Sequence, residues 1–155
     1  MTRVLLVCTG NTCRSPLAEA LLRRELGARG IEDVAVSSAG TGAWEGVPAS
    51  EGSFLVALEH GLDLSAHRSR LLTRELVEGA DLILTMGRSH VARAEALGGA
   101  GRTVLLGEFA GREGTDAEVR DPFGGDIEQY RTAFRDLSVL LGAAAERLAE
   151  GRRAR

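Results

Sequence analysis

The sequence predicts an α/β fold, a three-layer sandwich in which a parallel sheet carries helices on both faces. Two observations predict it. Short apolar runs alternate with stretches of helical periodicity along all 155 residues, the pattern of parallel strands joined by crossover helices. The runs Val4-Leu5-Leu6-Val7, Val34-Ala35-Val36, Leu82-Ile83-Leu84 and Val104-Leu105-Leu106 lack polar alternation, so each strand is expected to be covered on both sides. An apolar content of 44% and a charged content of 26% are those of an ordinary globule. The length suits one domain, assigned to residues 1–150, with 151–155 as a frayed tail.

The elements follow in order. After the strand at 4–7 and a loop, Leu17, Ala18, Leu21, Leu22 and Leu26 mark an amphipathic helix over 16–26, closed by Gly27 or Gly30. The second strand, 34–36, runs into Ser37-Ser38-Ala39-Gly40-Thr41-Gly42. A helix over 48–60 turns Phe54, Leu55 and Leu58 inward and stops at Gly61; a shorter helical piece covers 71–77. The third strand is 82–86. A helix over 89–97 follows, with Val91, Ala94 and Leu97 on one face, then the fourth strand, 104–106, and a polar, glycine-rich loop from 107 to 120. Ile127, Tyr130, Phe134, Leu137, Leu141, Ala144 and Leu148 recur at spacings of three and four, one face of a long final helix. Asp126 and Gln129 form a capping box at its start.

Charge and composition exclude several functions. A net charge of −3 argues against nucleic-acid binding, which needs a basic surface. All 19 basic residues are arginine; a GC-rich coding bias or a taste for ion pairs would each produce that. No apolar run approaches the ~18 residues of a membrane span, and the N-terminus has no signal-peptide pattern. Two cysteines five apart cannot staple a secreted domain. A cytoplasmic monomer with reduced thiols is expected.

The organising stretch is Cys8-Thr9-Gly10-Asn11-Thr12-Cys13-Arg14-Ser15-Pro16, directly after the first strand. Ser15 before Pro16 predicts a helix start, with the hydroxyl as N-cap and proline at the first helical position. Strand, tight loop and helix N-terminus make a phosphate cradle, because loop N–H groups and the helix dipole converge on one point. Gly10 is expected to let the backbone approach the anion or adopt positive φ. Cys8 adds a nucleophile at the entrance, and Arg14 adds parallel donors for two phosphate oxygens at the exit. The combination points to phosphoryl transfer to sulfur, although a bare Cys-x5-Arg recurs by chance.

The full run CTGNTCRSP resembles the signature of the low-molecular-weight protein tyrosine phosphatases. Ser38-Ala39-Gly40-Thr41-Gly42, Leu64-Ser65-Ala66-His67-Arg68-Ser69, Leu84-Thr85-Met86 and Asp121-Pro122-Phe123-Gly124-Gly125 extend the resemblance over nearly the whole chain. It implies a four-stranded sheet in the order 2-1-3-4. It also implies Cys8 as nucleophile, Arg14 as phosphate clamp, Asp121 as general acid and Ser15 as a donor to the sulfur. Thr9, Gly10, Asn11, Thr12 and Cys13 complete the phosphate-binding loop. Asn11 would hold it in a partly left-handed conformation, supported by Ser38 and His67. No metal or cofactor is called for, since Arg14 and the loop amides supply the positive field.

The implied substrate is a phosphorylated protein. Members acting on phosphotyrosine tend to carry an aliphatic residue after the loop asparagine and paired aromatics after Asp-Pro. Thr12 and Phe123-Gly124 resemble instead the bacterial protein-arginine phosphatase branch. Phosphoarginine is therefore expected, with phosphotyrosine as the alternative and Thr12, Trp44 and Phe123 as the substrate rim.

Other assignments compete. An arsenate reductase of this fold needs further cysteines, and none follows Cys13. A non-catalytic phosphate-binding module would more naturally lack Cys8 or Asp121. Cys13 is either a plain buried thiol or a partner that traps oxidised Cys8. Trp44 either packs or lines the rim. His60 and His90 read as solvent-facing and Tyr130 as core. Zinc on Cys8 and Cys13 lacks a second cysteine pair, and Gly40-Thr41-Gly42 is no dinucleotide fingerprint.

Overall fold

Strand β1 (Thr2–Cys8) is buried from Val4 onward, and its pleat sends Val4, Leu6 and Cys8 to one side, Leu5 and Val7 to the other. The computed structural model, which describes residues 1–153, places a core on each side. On the first, Val4, Leu6 and Cys8 meet Leu17, Leu21 and Leu22 of α1 (Arg14–Ala28) and Phe134, Leu137 and Leu141 of α6 (Ile127–Arg153). On the second, Leu5 and Val7 join Val77 of α3 (Arg74–Glu78) and Ala94 of α4 (Arg88–Ala94). Strands β2 (Val34–Gly40), β3 (Leu82–Thr85) and β4 (Thr103–Leu105) complete a parallel sheet in the order β2-β1-β3-β4. Fold class and strand order are those expected.

The edge strand β2 is closed by arginines. Its outward carbonyls at Val36 and Ser38 accept from Arg23 (2.6 Å) and Arg70 (3.1 Å), and Gly40 bridges to Leu71. Occupied carbonyls leave little for another chain to pair with.

Caps explain several boundaries. Helix α1 ends in a Schellman motif: Ile31 N–H donates to Leu26 O (2.9 Å) and Gly30 N–H to Gly27 O (3.1 Å), with Gly30 at φ 70°. The capping box of α6 forms in both directions, Gln129 N–H to Asp126 Oδ1 (3.0 Å) and Asp126 N–H to Gln129 Oε1 (2.9 Å).

Some expectations fail for local reasons. Helix α1 starts at Arg14 with Cys13 as N-cap and no capping side chain. Ser15 is therefore not the cap, because its hydroxyl is engaged by Cys8 and Asn11 instead. Pro16 falls at the third helical position, where its missing N–H still costs nothing. Helix α2 (Glu51–Glu59) starts later than proline suggested, capped by Ser50. It buries Ser53, Val56 and Ala57, leaving Leu55 and Leu58 43% and 49% exposed. The register follows from Gly52, whose absent Cβ would come within 2.5 Å of the Tyr130 ring. Leu71 lies outside α3, held in the bridge to Gly40.

Leu106 opens a single turn, α5 (Leu106–Phe109), rather than ending β4, and a 3-10 turn follows at Gly114–Ala117, so 107–120 is not one open loop. Gly107 makes that folding possible, since a Cβ there would meet Ala117 O at 2.1 Å. The expected frayed tail is helical as far as Arg153, with Arg152 paired to Asp33 at 2.7 Å; residues 154 and 155 lie outside the described residues.

Leu137 is fully buried where α6 meets the first core. Truncating it removes contacts that the neighbours only partly recover, so Leu137→Ala is expected to lower unfolding free energy by about 3 kcal/mol. Urea titration followed by circular dichroism measures it.

Candidate active site

Cys8 sits at the carboxyl end of the central strand β1 and is 2% exposed. The chain must then reverse tightly to enter α1, and it does so through Asn11 at φ 56°, the sole non-glycine left-handed residue described. Asparagine tolerates that region better than most residues. Its amide secures the turn: Nδ2 donates to Ser15 Oγ (2.7 Å) and Ser38 Oγ (3.0 Å), while Oδ1 accepts from Arg70 N–H (2.9 Å). His67 Nε2 donates to Asn11 O at 2.7 Å. The structure thus brings Asn11, Ser15, Ser38 and His67 together.

The sulfur receives two of these groups. Ser15 Oγ lies 2.9 Å from Cys8 Sγ; because it already accepts from Asn11, its own proton is free to point at the sulfur. Asn11 N–H adds a second donor at 3.3 Å. With the N-terminus of α1 alongside, this is the environment a thiolate accepts from.

Arg14 closes the other end of the loop. It is 6% exposed and donates through one terminal nitrogen to Val119 O (3.0 Å). The other terminal nitrogen lies 3.4 Å from Asp121 Oδ2. Its Nε is buried and finds no acceptor among the described residues. Asp121 is half exposed, and its Oδ1 accepts from Phe123 N–H at 3.0 Å, which fixes the carboxyl over the loop. Cys8, Thr9, Gly10, Thr12, Cys13, Arg14, Asp121 and Phe123 together line a cavity of about 190 Å³.

Trp44 is 82% exposed and so does not pack into the core, and it lies outside the residues that line the cavity itself. Gly10 does not adopt positive φ, and a Cβ there would meet Thr12 at an unstrained 3.5 Å. Another glycine is required by contacts within the protein: Gly40, where a Cβ would fall 2.4 Å from Thr9 O and 2.9 Å from Asn11 N. The Cys13 thiol is engaged on its own side of the loop, donating to Ser50 Oγ at 3.3 Å and lying 3.6 Å from the Tyr130 hydroxyl.

His90 is the main departure. It is not solvent-facing but 3% exposed, with Nδ1 accepting from Gly87 N–H (3.0 Å) and Nε2 at 2.9 Å from Thr9 Oγ1. The sequence did contain a signal: His90 shares a helical face with Ala94 and Leu97, at spacings of four and seven. Arg70 and Ser50 carried none, since both act through contacts between distant segments.

Burial, then the nearby Arg14 charge, pushes the His90 pKa down from 6.5 to about 4, against the pull of Asp121 and Glu118. The unfolded chain therefore binds more protons between those values. Stability from this group is complete above about pH 6.5 and is lost as pH falls toward 4. At about 1.4 kcal/mol per unit the total is roughly 3 kcal/mol. Urea midpoints of the wild type should drop between about pH 7 and about pH 4.5, and His90→Gln should flatten that decline. Asp33, Glu59 and Asp63, all held below the carboxylate range by their partners, lose their contributions only further down.

Comparison with known proteins gives this geometry a family. The model of the low molecular weight phosphotyrosine protein phosphatase family matches residues 3–154. A protein-arginine-phosphatase of Geobacillus stearothermophilus is 42% identical over 151 residues, 94% of this chain and 95% of its own. A probable low molecular weight protein-tyrosine-phosphatase of Ralstonia solanacearum, EpsP, is 47% identical over 133 residues, 84% of this chain and 85% of its own. The structure of the arginine phosphatase YwlE, a cysteine-to-serine mutant with a phosphorylated active-site serine, matches at 36% identity. Its TM-score is 0.91, and the match covers 99% of this chain and 100% of that one. Matches of this extent run across nearly the whole length of this chain, and the chain belongs to the low molecular weight phosphotyrosine protein phosphatase family.

Proposed function

We propose that the protein is a phosphatase that hydrolyses phosphoarginine in proteins through a phosphocysteine intermediate. The observation that carries the phosphatase part is Arg14 Nε, a buried charged donor without an acceptor among the described residues, in the same cavity as Cys8 and Asp121. A phosphate oxygen is the acceptor whose geometry suits it, because a guanidinium offers two parallel N–H bonds to two oxygens.

In the first step Cys8 Sγ attacks phosphorus in line as the bond from phosphorus to the guanidine nitrogen breaks. Asp121 gives its proton to that leaving nitrogen, and Ser15 and the Asn11 N–H stabilise the sulfur beforehand. In the second step Asp121, now a carboxylate, takes a proton from water. The water oxygen attacks phosphorus, the phosphorus–sulfur bond breaks, and inorganic phosphate leaves. Arg14 and the loop N–H groups hold the phosphoryl oxygens throughout.

Phosphoarginine is favoured by Thr12, a hydroxyl-bearing β-branched residue in the cavity wall, and by Asp121, half exposed at its mouth. A guanidinium is planar and polar, so a carboxyl group and a hydroxyl suit it better than an aliphatic wall would. The relatives named for arginine phosphatase activity point the same way. Phosphotyrosine is the second reading, supported by the relative named for that activity. The substrate is a phosphorylated protein met in the cytoplasm by a monomer. Among the described residues no helix is long and apolar enough to cross a membrane.

Turnover of matched phosphoarginine and phosphotyrosine peptides tests the assignment, with Cys8→Ser as the inactive control. The wild type should favour phosphoarginine, and Thr12→Ile should shift preference toward phosphotyrosine. Equal or better phosphotyrosine turnover by the wild type would overturn the arginine assignment. Asp121→Ala should keep phosphopeptide binding but lose roughly 100-fold or more in kcat.

A further inference from the structure

Thr9 follows the nucleophile directly, and its side chain is held from outside the loop. Its hydroxyl lies 2.9 Å from His90 Nε2, while its methyl faces Gly42, where a Cβ would sit 3.8 Å away. The far side of the imidazole settles the direction of the hydrogen bond. Nδ1 accepts from Gly87 N–H at 3.0 Å, so in the neutral ring Nε2 carries the proton and donates to Thr9 Oγ1. The ring is neutral because it is buried beside Arg14; of the other charged groups that face it, Asp121 and Glu118 act oppositely and do not prevail. Thr9 Oγ1 thus accepts from His90, and a hydroxyl has one proton. That proton is turned away from the ring, on a residue that lines the same cavity as Cys8 and Arg14.

The backbone of Thr9 is fixed as well. Its carbonyl accepts from Gly42 N–H at 2.9 Å and lies against Gly40. The residue is therefore tied at its backbone to the turn after β2 and at its hydroxyl to His90 of α4.

We propose that His90 is a positioning residue that orients Thr9, so that the Thr9 hydroxyl proton serves as an additional donor to an oxyanion held over Cys8. The kinetic consequences rest on the phosphatase reading, whereas the anion-binding consequence does not. A structural role alone would be the cap at Gly87, where a ring nitrogen at the third helical position satisfies the N–H of the residue just before α4. The two roles use different ring nitrogens, and side-chain length separates them.

His90→Asn keeps an acceptor close to the position of Nδ1 but cannot reach Thr9; His90→Gln extends an amide donor to where Nε2 lies. Thr9→Val removes the hydroxyl at constant shape. Binding of inorganic phosphate by calorimetry, kcat and KM on an aryl phosphate, and thermal melting are measured for each variant. His90→Asn and Thr9→Val should each weaken phosphate binding and lower kcat roughly tenfold, the scale of a hydrogen bond to a charged group. KM should move less than kcat. His90→Gln should stay within about threefold of the wild type, and the double variant Thr9→Val/His90→Asn should be no worse than Thr9→Val, since both remove one interaction.

Wild-type phosphate affinity in both His90→Asn and Thr9→Val, with only a lowered melting temperature for the former, overturns the proposal. Additive losses in the double variant overturn it too. Should the wild type bind phosphate with the stated order of affinities yet hydrolyse neither phosphopeptide, the phosphatase reading falls and the orienting role of His90 stands.

Discussion

Most of the site depends on one residue held in an unfavourable backbone conformation. A left-handed turn at Asn11 is what lets the loop curl so that its amide can face the sulfur of Cys8. Such a conformation persists only when the surroundings over-determine it. Here they do so from three directions: Ser15 of α1, Ser38 of β2, and the segment carrying His67 and Arg70. The same amide that fixes the turn also leaves the Ser15 proton free for the sulfur. Backbone strain and sulfur solvation are therefore one network, and a partly satisfied version of it would hold neither in place.

That network explains why the site sits where it does. The carboxyl ends of parallel strands leave a crevice where the strand order reverses, and β1 lies at that point, with β2 on one side and β3 on the other. Ser38 and Gly40 are brought to the loop by the register that pairs Leu6 with Ser38 and Cys8 with Gly40. A slip of one residue would put Ala39 where Ser38 must be and a Cβ where Gly40 admits Thr9. Even the closed edge of β2 takes part, because Arg70 caps the Ser38 carbonyl with its side chain and Asn11 with its backbone.

Much of this was legible in the chain, for unequal reasons. The stripe from Ile127 to Leu148 and the Asp126–Gln129 box are local signals, and α6 follows them. Strand order is not a local property; it came from the ordered motifs that resemble a family. Ser15 shows where local rules mislead. A serine before proline reads as a cap, but a partner seven residues back in the chain, Cys8, claims the hydroxyl. The inward face of α2 departs from its apolar spacing for a similar reason, since the fit of Gly52 under the Tyr130 ring, set by α6, overrides Leu55 and Leu58. Gly40 escapes a local reading because a close approach between a strand end and the loop leaves no mark in the loop's own sequence.

The pocket's charge follows from two basic groups that lie together, of which only one is ionised at neutral pH. Arg14 stays charged because a guanidinium is not deprotonated in proteins, so burial falls on the weaker base, and His90 is the neutral one. A single buried cation, balanced in part by a half-exposed Asp121, gives the cavity a positive field without the cost of a second desolvated charge. A neutral imidazole is also the only form that can accept from Gly87 and donate to Thr9 at once. The charge assignment and the geometry of the loop's first residue therefore require one another: protonating His90 would break the bond to Gly87 and place like charges side by side. The charge on Arg14 and the neutral ring behind Thr9 are two faces of the same electrostatic arrangement.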